Sequence, residues 1–481
     1  MTGLLWTSEA MIAAMGGRPL GTMPRGVTGI SIDTRTLKPG DAFFAIKGEN
    51  FDGHDFATAA MAAGASLMVV ADSKLAALGR LTMPMIVVED VLAALELLGA
   101  AARARTKAKV IAVTGSAGKT STKEALRLAL SVSGTVHAAE KSFNNHWGVP
   151  LTLARMPSDV DYAIFEIGMN HAGEIRPLVK LVRPHVAIVT MIAAAHLGHF
   201  HSLDDIARAK GEIFEGIVPG GHALINRDDH RWRILDKLAR EAGVQNIVGF
   251  GEHSRSQVKL LACTLGADQS TISVKVGGET FEARIGAPGR HVVQNVLAVL
   301  GALYLAGADV GMGAEALGSL RSERGRGARM RLLHPDGPFT VIDESYNANP
   351  ASMKAALDLL ARAEVSGSGR RIAVLGDMRE LGTHSRKLHA ALAEPVREAA
   401  PDLVLLAGAE MAALHAALGD DLPMDYRETG ADLVPLLVST VRPGDVVMIK
   451  SSNGVGFSRI VDALTARFPA AGASATAGTN Q

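Results

Sequence analysis

Short apolar runs alternate with segments of helical spacing along most of the chain. The runs that begin at Val110, Tyr162, Val186, Ile372 and Val446 are rich in β-branched and other apolar residues. Near-continuous apolar strands are typical of parallel sheets that are buried on both faces. The segments between them repeat their apolar residues every three or four positions, as helices do. The pattern therefore predicts an α/β protein with mostly parallel sheets.

The length of 481 residues predicts about three domains. We predict an N-terminal α/β domain at 1–108, a central domain built on a mostly parallel sheet at 109–332, and a Rossmann-like doubly wound domain at 333–468. Residues 469–481 are small and polar, and we expect them to be disordered. Residues 321–331 are rich in Gly and Arg and lack periodicity, which indicates either a linker or an anion-binding strap.

The strongest chemical signal is a glycine turn between a strand and a helix. Residues 114–123 read Thr-Gly-Ser-Ala-Gly-Lys-Thr-Ser-Thr-Lys and follow the apolar run at Val110. Such a loop cradles phosphate with backbone amides at the positive end of the helix dipole. Lys119 would reach the β- and γ-phosphates, and the Thr120 hydroxyl would bind Mg²⁺. The alternative is an ordinary turn, because the strict motif has Gly where this chain has Val113.

Two further side chains are predicted to lie at strand ends near this loop. Glu166 lies within an apolar run, where a carboxylate is costly unless it is paired or bound to a cation. His196 follows the strand that starts at Val186, and ligands gather at the carboxyl ends of parallel strands. With His199 and His201 it could form a zinc site, but no further His or Cys completes one. We favour His196 as a second Mg²⁺ ligand.

Lys210 falls on the apolar stripe of a helix predicted at 203–217, together with Ile206, Ile213 and Phe214. A lysine is seldom found there without a partner. The common explanations are a snorkelling side chain or a buried ion pair. A lysine that is chemically neutralised or inverted in charge is the other possibility.

Charge and cysteine content exclude several classes of function. Lys plus Arg and Asp plus Glu number 49 each, so no overall basic field attracts nucleic acid or an anionic membrane. Cys263 is the only cysteine, which excludes an intrachain disulfide and suits a reducing cytoplasm. No apolar stretch reaches the roughly 20 residues of a membrane span. Residues 1–15 contain Glu9 and indicate a helix capped by Thr7 or Ser8, not a signal peptide.

Several motifs resemble those of the Mur ligases, the ATP-dependent amide-forming enzymes of peptidoglycan precursor synthesis. Besides the phosphate loop, the matching stretches are 165–168 (Phe-Glu-Ile-Gly), 194–197 (Ala-Ala-His-Leu), 209–214 (Ala-Lys-Gly-Glu-Ile-Phe) and 343–350 (Asp-Glu-Ser-Tyr-Asn-Ala-Asn-Pro). They are most similar to the member that adds D-alanyl-D-alanine to UDP-N-acetylmuramoyl-tripeptide. The resemblance implies this reaction, through an acyl phosphate, with ATP, two Mg²⁺ ions and these two small substrates. We expect a cytoplasmic protein, as the cysteine content indicates, and a monomer.

The resemblance also implies a set of site residues. Catalysis would rest on Lys119, Lys210 and His196, with Lys210 carbamylated, and the metal ligands would be Thr120, Glu166, His196 and Lys210. The remaining predicted contacts fall into a nucleotide group and a substrate group. The nucleotide group is Gly115, Ser116, Ala117, Gly118, Lys119, Thr120, Ser121, Asn295, Arg326, Asp343 and Tyr346. The substrate group is Ser31, Thr34, Arg35, Lys47, Gly48, His54, Asn144 and Asn145, of which the first six resemble elements that bind UDP.

Other functions fit the sequence less well. The sister ligase that adds a diamino acid carries an Asp-Asn-Pro-Arg signature, whereas residues 376–382 here read Gly-Asp-Met-Arg-Glu-Leu-Gly. A folylpolyglutamate synthetase shares the ligase core but lacks the UDP-type N-terminal domain. A non-catalytic nucleotide-binding regulator would not need Lys119, Glu166, His196 and Lys210 together. The stretch Lys-Ser-Ser-Asn-Gly from Lys450 departs from the family's Lys-Gly-Ser-Arg, so we assign no dipeptide contact there.

Overall fold

A computed structural model describes residues 3–79, 81–140, 142–195 and 197–471, and every structural statement below refers to this part of the chain. The fold is mixed α/β, with three main sheets that follow one another along the sequence. We call the corresponding segments the N-terminal region (3–108), the middle region (109–327) and the C-terminal region (328–471). The predicted division into three domains stays a proposal, which these three sheets support.

The N-terminal region holds a small sheet in which β2 is antiparallel to β7 and the other neighbours are parallel, in the order β2-β7-β6-β5-β4. A separate pair, β1 and β3, is antiparallel. The elements of this region are β1 (Trp6–Thr7), α1 (Ser8–Met15), β2 (Arg18–Leu20), β3 (Gly26–Val27), β4 (Gly29–Ser31), β5 (Asp41–Phe44), α2 (Ala57–Ala62), β6 (Leu67–Ala71), α3 (Leu75–Leu78), β7 (Met85–Val88) and α4 (Val91–Arg105). The Thr7 hydroxyl accepts a hydrogen bond from Ala10 N, which confirms Thr7 as the cap of α1.

The middle region is built on a nine-stranded sheet in the order β16-β15-β14-β13-β12-β11-β8-β10-β9. Its strands from β14 to β9 are parallel, and β14, β15 and β16 form an antiparallel edge. The strands are β8 (Lys109–Thr114), β9 (Val136–Ala138), β10 (Tyr162–Glu166), β11 (Val186–Val189), β12 (His222–Asn226), β13 (Asn246–Gly251), β14 (Val258–Leu265), β15 (Ser270–Val276) and β16 (Glu279–Ile285). The helices are α5 (Lys119–Leu130), α6 (Gly148–Ala154), α7 (Ile175–Val182), α8 (Leu203–Gly211), α9 (Trp232–Glu241), α10 (Arg290–Ala306) and α11 (Val310–Ala316).

The C-terminal region has a six-stranded sheet in the order β17-β18-β22-β19-β20-β21, parallel except for the hairpin of β17 and β18. Its strands are β17 (Ala328–His334), β18 (Gly337–Glu344), β19 (Arg371–Gly376), β20 (Leu403–Ala407), β21 (Met424–Arg427) and β22 (Val446–Lys450). Its helices are α12 (Pro350–Ala361), α13 (Ser385–Ala390), α14 (Ala393–Ala399), α15 (Ala412–Leu418), α16 (Gly430–Thr440) and α17 (Ser458–Arg467).

Three sequence-based boundaries differ from the structure. The helix predicted at 203–217 is α-helical only to Gly211 and continues as a 3-10 helix over Glu212–Gly216. The predicted linker 321–331 ends in β17, an edge strand whose partial exposure hides the apolar alternation, so the third sheet begins before residue 333. Pro469 and Ala471, at the start of the tail predicted to be disordered, hydrogen bond to β17. Residues 472–481 lie outside the described residues.

The apolar cores show how the three regions are joined. One buried cluster runs from Phe44 in the N-terminal sheet through Leu98 on α4 to Val189 in the middle sheet. The two clusters on the faces of the C-terminal sheet contain only residues of that region. The N-terminal and middle regions therefore share a core, whereas the C-terminal region meets the middle region through polar loop contacts. No helix among the described residues is long and apolar enough to span a membrane.

Candidate active site

The phosphate loop has the predicted strand, turn and helix geometry. β8 ends at Thr114 and α5 begins at Lys119, as the sequence pattern indicates. Gly115 and Gly118 have φ of 154° and 83°, in the region that side chains other than glycine seldom adopt. A Cβ on Gly115 would collide with the Thr190 hydroxyl. The turn therefore requires glycine. Ser116 N donates to Met191 O at 2.9 Å, whereas the amides that open α5 have no partner within the helix and can face an anion.

The two residues that open α5 hold the groups predicted for phosphate and metal. The Lys119 ammonium donates to Gly115 O at 2.8 Å, so the side chain folds back over the loop. Thr120 is buried, and its hydroxyl donates to Glu166 Oε2 at 2.9 Å. The Ser142 hydroxyl lies 3.3 Å from the Thr120 hydroxyl. Burial lowers the pKa of Lys119, the Glu166 carboxylate opposes this shift, and Arg326 adds to it.

Glu166 is a buried carboxylate at the end of β10, with 2% of its surface exposed. Its two oxygens accept hydrogen bonds from neutral donors, Thr120 on one side and Asn144 Nδ2 on the other at 2.7 Å. Two neutral donors do not balance a buried negative charge. A hydroxyl and a carboxylate are hard oxygen ligands of the type that Mg²⁺ prefers beside substrate phosphates. The residues present therefore fit a magnesium ion.

Lys210 is 1% exposed on α8, which confirms that it lies on the buried stripe. Among the described residues, none forms a hydrogen bond or ion pair with its ammonium. Burial, and then repulsion from Lys119, lowers the pKa of Lys210 well below its ordinary value. The expected ion pair is therefore not found in this part of the chain. A neutral amine is the form that burial favours here.

The strap between the middle and C-terminal regions carries Arg326. Asp343 at the end of β18 is 1% exposed and accepts from Gly325 N at 2.9 Å and from the Ser345 hydroxyl at 2.6 Å. These bonds use the Asp343 carboxylate to fix the strap at Gly325. The Arg326 guanidinium lies 4.3 Å from the centre of the Tyr346 ring, and Tyr346 is 40% exposed.

The remaining predicted nucleotide contacts surround the glycine turn. Ser116 is buried, and its hydroxyl donates to Ala193 O at 3.0 Å. Ala117 O accepts from the Thr190 hydroxyl at 2.6 Å. Ser121 is half-buried in the first turn of α5. Asn295 on α10 lies against Gly118, where an added Cβ would come within 2.6 Å of the Asn295 amide oxygen.

The predicted substrate residues of β4 and the following loop are bonded to one another. The Ser31 hydroxyl donates to Asp33 O at 2.9 Å, and Arg35 pairs with the Asp33 carboxylate at 2.7 Å. The Arg35 side chain is 86% exposed, and Thr34 is half-buried. The Arg35 guanidinium is therefore exposed to solvent although it is paired with Asp33, and the Ser31 hydroxyl holds the backbone of this loop.

The His54 ring makes two hydrogen bonds. It is 7% exposed, its Nδ1 lies 2.6 Å from Asp52 Oδ1, and its Nε2 accepts from Ala71 N at 2.9 Å. Both ring nitrogens are therefore used inside the N-terminal region, and the predicted substrate contact of His54 stays a prediction. Lys47 and Gly48, in the preceding loop, are exposed.

Asn144 is brought to the site by a contact that the sequence did not indicate, and Asn145 is bonded locally at the start of α6. Asn144 binds the Glu166 carboxylate, as described above, whereas the Asn145 side chain accepts from Gly148 N at 3.0 Å before α6. The predicted ligand His196 lies outside the described residues. Within the described residues, no group of three or more His, Cys, Asp or Glu side chains is placed to hold a metal ion.

Three residues near the loop were missed by the sequence analysis. Ser142 and Thr190 approach Thr120 and Ala117, and Asn349 Nδ2 donates to Ser116 O at 3.4 Å from the C-terminal region. Thr190 directly follows β11, so the rule that ligands gather at strand ends would have found it. Asn349 caps α12, and its second contact depends on how two regions meet, which no local pattern reveals.

Known proteins match the whole of this arrangement. The Mur ligase middle domain model matches residues 113–303, the glutamate ligase domain model of the Mur ligases matches 328–453, and the catalytic-domain model of the Mur ligase family matches 26–104. A protein of Rickettsia prowazekii named UDP-N-acetylmuramoyl-tripeptide--D-alanyl-D-alanine ligase is 32% identical over 459 residues, covering 95% of this chain and 99% of its own. A protein of the same name from Escherichia coli is 34% identical over 435 residues, covering 90% of this chain and 93% of its own.

A solved structure agrees with these relatives. The crystal structure of MurF from Acinetobacter baumannii superposes with a TM-score of 0.83 at 30% identity, covering 96% of this chain and 99% of that one. Together the matches confirm the resemblance that the motifs carried. The chain belongs to the Mur ligase family, and it is an ATP-dependent ligase that forms amide bonds.

Proposed function

We propose that this protein joins D-alanyl-D-alanine to UDP-N-acetylmuramoyl-tripeptide with ATP and gives the UDP-muramoyl pentapeptide. The names of the relatives support the reaction, since both carry it and are matched over at least nine-tenths of this chain. The observation that carries the proposal is the contact of Thr120 with the buried Glu166 carboxylate beside Lys119. This combination serves phosphoryl transfer and has no purpose in a simple glycine turn.

The chain's own residues would bind ATP around the start of α5. The amides from Ala117 to Thr120 would face the phosphates, and Lys119 would exchange its bond to Gly115 O for the β- and γ-phosphates. We propose that Arg326 reaches the same phosphates from the strap, because it already lies close enough to affect the pKa of Lys119. Asn295 beside Gly118, with Tyr346 beneath Arg326, would contact the rest of the nucleotide.

We propose two Mg²⁺ ions, held by Thr120 and Glu166 and by Lys210 and His196. When bound, Mg²⁺ offsets the negative charge that gathers on the phosphates and the attacking carboxylate. Asn144 keeps the Glu166 carboxylate turned toward Thr120, because it donates to the other oxygen. The fit at Glu166 rests on its burial beside neutral donors, as argued above.

Lys210 suits carbamylation for a physical reason. An amine attacks CO₂ only as the neutral base, and burial beside Lys119 favours that form of Lys210. The nitrogen bonds to the carbon of CO₂ and loses a proton to water, which leaves a carbamate anion. This anion would offset the positive charge of Lys119, which acts on Lys210, and that of the metal ion it would help to hold. An ammonium with no partner among the described residues would thereby become a metal ligand.

In the proposed reaction the tripeptide's terminal carboxylate attacks the γ-phosphorus and ADP leaves, giving an acyl phosphate. The dipeptide amine then attacks the acyl carbon, phosphate departs and the amine loses a proton. Lys119 stabilises the charge of the first step from its place at the loop. Contact between the C-terminal and middle regions, through Asn349 and Ser116, would exclude water from the acyl phosphate.

The N-terminal region would take the UDP-muramoyl part of the acceptor. Arg35 and Lys47 offer exposed cations for a diphosphate, and Ser31, Thr34 and Gly48 shape the loops that carry them. We propose that Asn145 lies along the muramoyl peptide. One chain supplies every side chain that this account uses, so we propose a monomer, and the free Cys263 suits the cytoplasmic location expected from the sequence.

The test is ADP release from the purified chain with UDP-N-acetylmuramoyl-tripeptide and one candidate amine at a time. We expect turnover with D-alanyl-D-alanine and little with free diaminopimelate or L-lysine, because a site built to pair one set of polar groups rejects a ligand that leaves them unpaired by up to about 10⁴-fold. Turnover of UDP-muramoyl dipeptide with a diamino acid, and none with D-alanyl-D-alanine, would assign the chain to the sister reaction.

A further inference from the structure

Two loops at one edge of the C-terminal sheet lie beside the contact with the middle region. β19 and β22 are parallel neighbours, with Leu375 opposite Lys450, so the loops that follow them leave the sheet together. Glu380 O in the first loop accepts from Gly198 N of the middle region at 2.8 Å. Ligands of parallel sheets bind at this kind of edge. These loops are therefore placed to meet a substrate that approaches the phosphate site.

Lys450 cannot offer its charge to such a substrate. It is 1% exposed, and its ammonium donates to Glu344 Oε2 at 3.1 Å and to Asn347 O at 2.9 Å. Its charge is therefore neutralised by Glu344 beneath the loops. Any cation that serves a ligand at this edge must come from another residue.

Arg379 is the cation in the right place. It is exposed, and it forms no ion pair within the part of the chain that the structure describes. The Ser452 hydroxyl accepts from Arg379 N at 2.9 Å, and Ser452 N donates to Asp377 O at 3.1 Å, so the two loops are fastened together. A Cβ on Gly454 would lie 3.6 Å from Arg379 Nε, which shows that the guanidinium lies over the second loop. Its backbone is thus fixed while its charge stays open.

We propose that Arg379 binds the carboxylate of the incoming D-alanyl-D-alanine, and this inference rests on the proposed function. An extended dipeptide places its carboxylate roughly 7 Å from its amine, so the cation must stand about one dipeptide length from the acyl phosphate. Arg379 adjoins Glu380, whose carbonyl accepts from Gly198 N, so it lies where the C-terminal region meets the middle region. A guanidinium also matches a carboxylate with two parallel hydrogen bonds. The carboxylate contact thereby orients the amine toward the phosphate site.

The experiment compares Arg379→Ala, Arg379→Lys and the wild type with two amines, D-alanyl-D-alanine and its C-terminal amide, which lacks the carboxylate charge. We expect Arg379→Ala to raise KM for the dipeptide by about ten- to a hundred-fold, the usual range for a hydrogen-bonded charge. KM for ATP and for the UDP-tripeptide should not change. The KM of the wild type should rise by a similar factor when the amide replaces the dipeptide, whereas the KM of Arg379→Ala should rise little further. Arg379→Lys should recover part of the effect, since it keeps the charge but not the fork.

Arg442 provides the matched control, because it is an exposed arginine of the same region that precedes β22 and so lies at the opposite end of the sheet. Arg442→Ala should leave all three KM values unchanged. If the wild type and Arg379→Ala show the same ratio of KM for the amide to KM for the dipeptide, the Arg379 assignment is overturned. Turnover of the dipeptide by the wild type would still uphold the proposed ligase reaction. Should the alanine variant melt early, Arg379→Gln, which keeps a long polar side chain but not the charge, takes its place, and an unchanged preference in Arg379→Gln would count against the assignment in the same way. A wild type that ligates neither amine would instead overturn the proposed function, and the assignment with it.

Discussion

Two buried lysines in the middle region have opposite surroundings. Lys123 on α5 is 1% exposed, and its ammonium donates to Ala139 O at 2.7 Å and lies 2.8 Å from the Glu124 carboxylate. Lys210 on α8 is as deeply buried but has no such partner among the described residues. Burial of a charge alone does not mark a functional residue, because Lys123 is satisfied by its neighbours. The missing partner at Lys210 is what indicates chemistry.

The same contrast separates larger parts of the molecule. At the phosphate loop, Lys119 and Glu166 have neutral partners that do not balance their charges. In the N-terminal region, Asp52, His54 and Lys74 satisfy one another. Substitutions in the first set should therefore reduce activity more than stability, and substitutions in the second set should do the reverse.

The largest expected effect is that of Lys119→Ala. The variant loses a charge that stabilises the phosphoryl-transfer transition state, so kcat should decrease by about a hundred- to a thousand-fold. The melting temperature should stay close to that of the wild type, because Lys119 contributes only a bond to Gly115 O. Steady-state ADP release and a thermal melt on the same sample measure both. Near-normal ligation would contradict the phosphate-loop assignment.

Lys210→Arg should come next in size. Guanidinium keeps a positive charge and cannot form the carbamate, so we expect kcat to decrease by about a hundred-fold, the upper range for losses around a metal ligand. The variant should also need a higher Mg²⁺ concentration to reach half of its maximal rate. Activity retained in Lys210→Arg would return the residue to an ordinary structural role.

Asp52→Asn tests the group of mutually paired side chains in the N-terminal region, Asp52, His54 and Lys74. Burial alone would raise the pKa of Asp52, but hydrogen bonds from Lys74 and His54 outweigh it and lower the pKa. A depressed pKa in the folded state stabilises the protein above the unfolded value of about 4, and this contribution is lost as the pH falls through the folded value. We expect the substitution to cost about 1–3 kcal/mol of unfolding free energy at pH 7. In urea titrations, the difference in unfolding free energy between the variant and the wild type should narrow below about pH 4. The kcat for ADP release should not change.

Lys123→Met should have the smallest effect. Met keeps the length of the buried side chain, so the unfolding free energy should decrease by only about 1–2 kcal/mol, the cost of leaving Ala139 O without its hydrogen-bond donor. Glu124 keeps Arg127 as a partner at 2.7 Å. We expect kcat to stay near the wild-type value in the ADP-release assay. A loss of activity comparable to that of Lys210→Arg would remove the distinction between the two lysines.

The sequence predicted the strands and helices that carry strong periodicity, and less of what depends on contacts between regions. The apolar runs that the sequence shows all lie in parallel strands, because buried strands leave clear local signals; they begin at Val110, Tyr162, Val186, Ile372 and Val446. β17 was missed because an edge strand is only partly buried. The burial of Lys210 followed from helical spacing, but its lack of a partner depends on other elements of the fold.

Some residues of the candidate site could likewise be placed from the sequence, and others could not. Lys119, Thr120 and Glu166 could be placed from motif and strand-end rules, and the structure brings them together. The hydrogen bonds of the His54 ring could not, because they join it to Asp52 in the same loop and to Ala71 on a neighbouring strand. Asn349 reaches the phosphate loop across two regions, which no local pattern reveals.

The most direct test of the contrast between the two lysines is a ¹³C NMR spectrum of the intact protein in ¹³C-labelled bicarbonate. We expect one carbamate resonance in the wild type, retained in Lys123→Met and lost in Lys210→Ala, because burial favours the neutral amine of Lys210 and no described residue pairs it with an anion. A fully active wild type that shows no such resonance, or a resonance that survives in Lys210→Ala, would contradict this account.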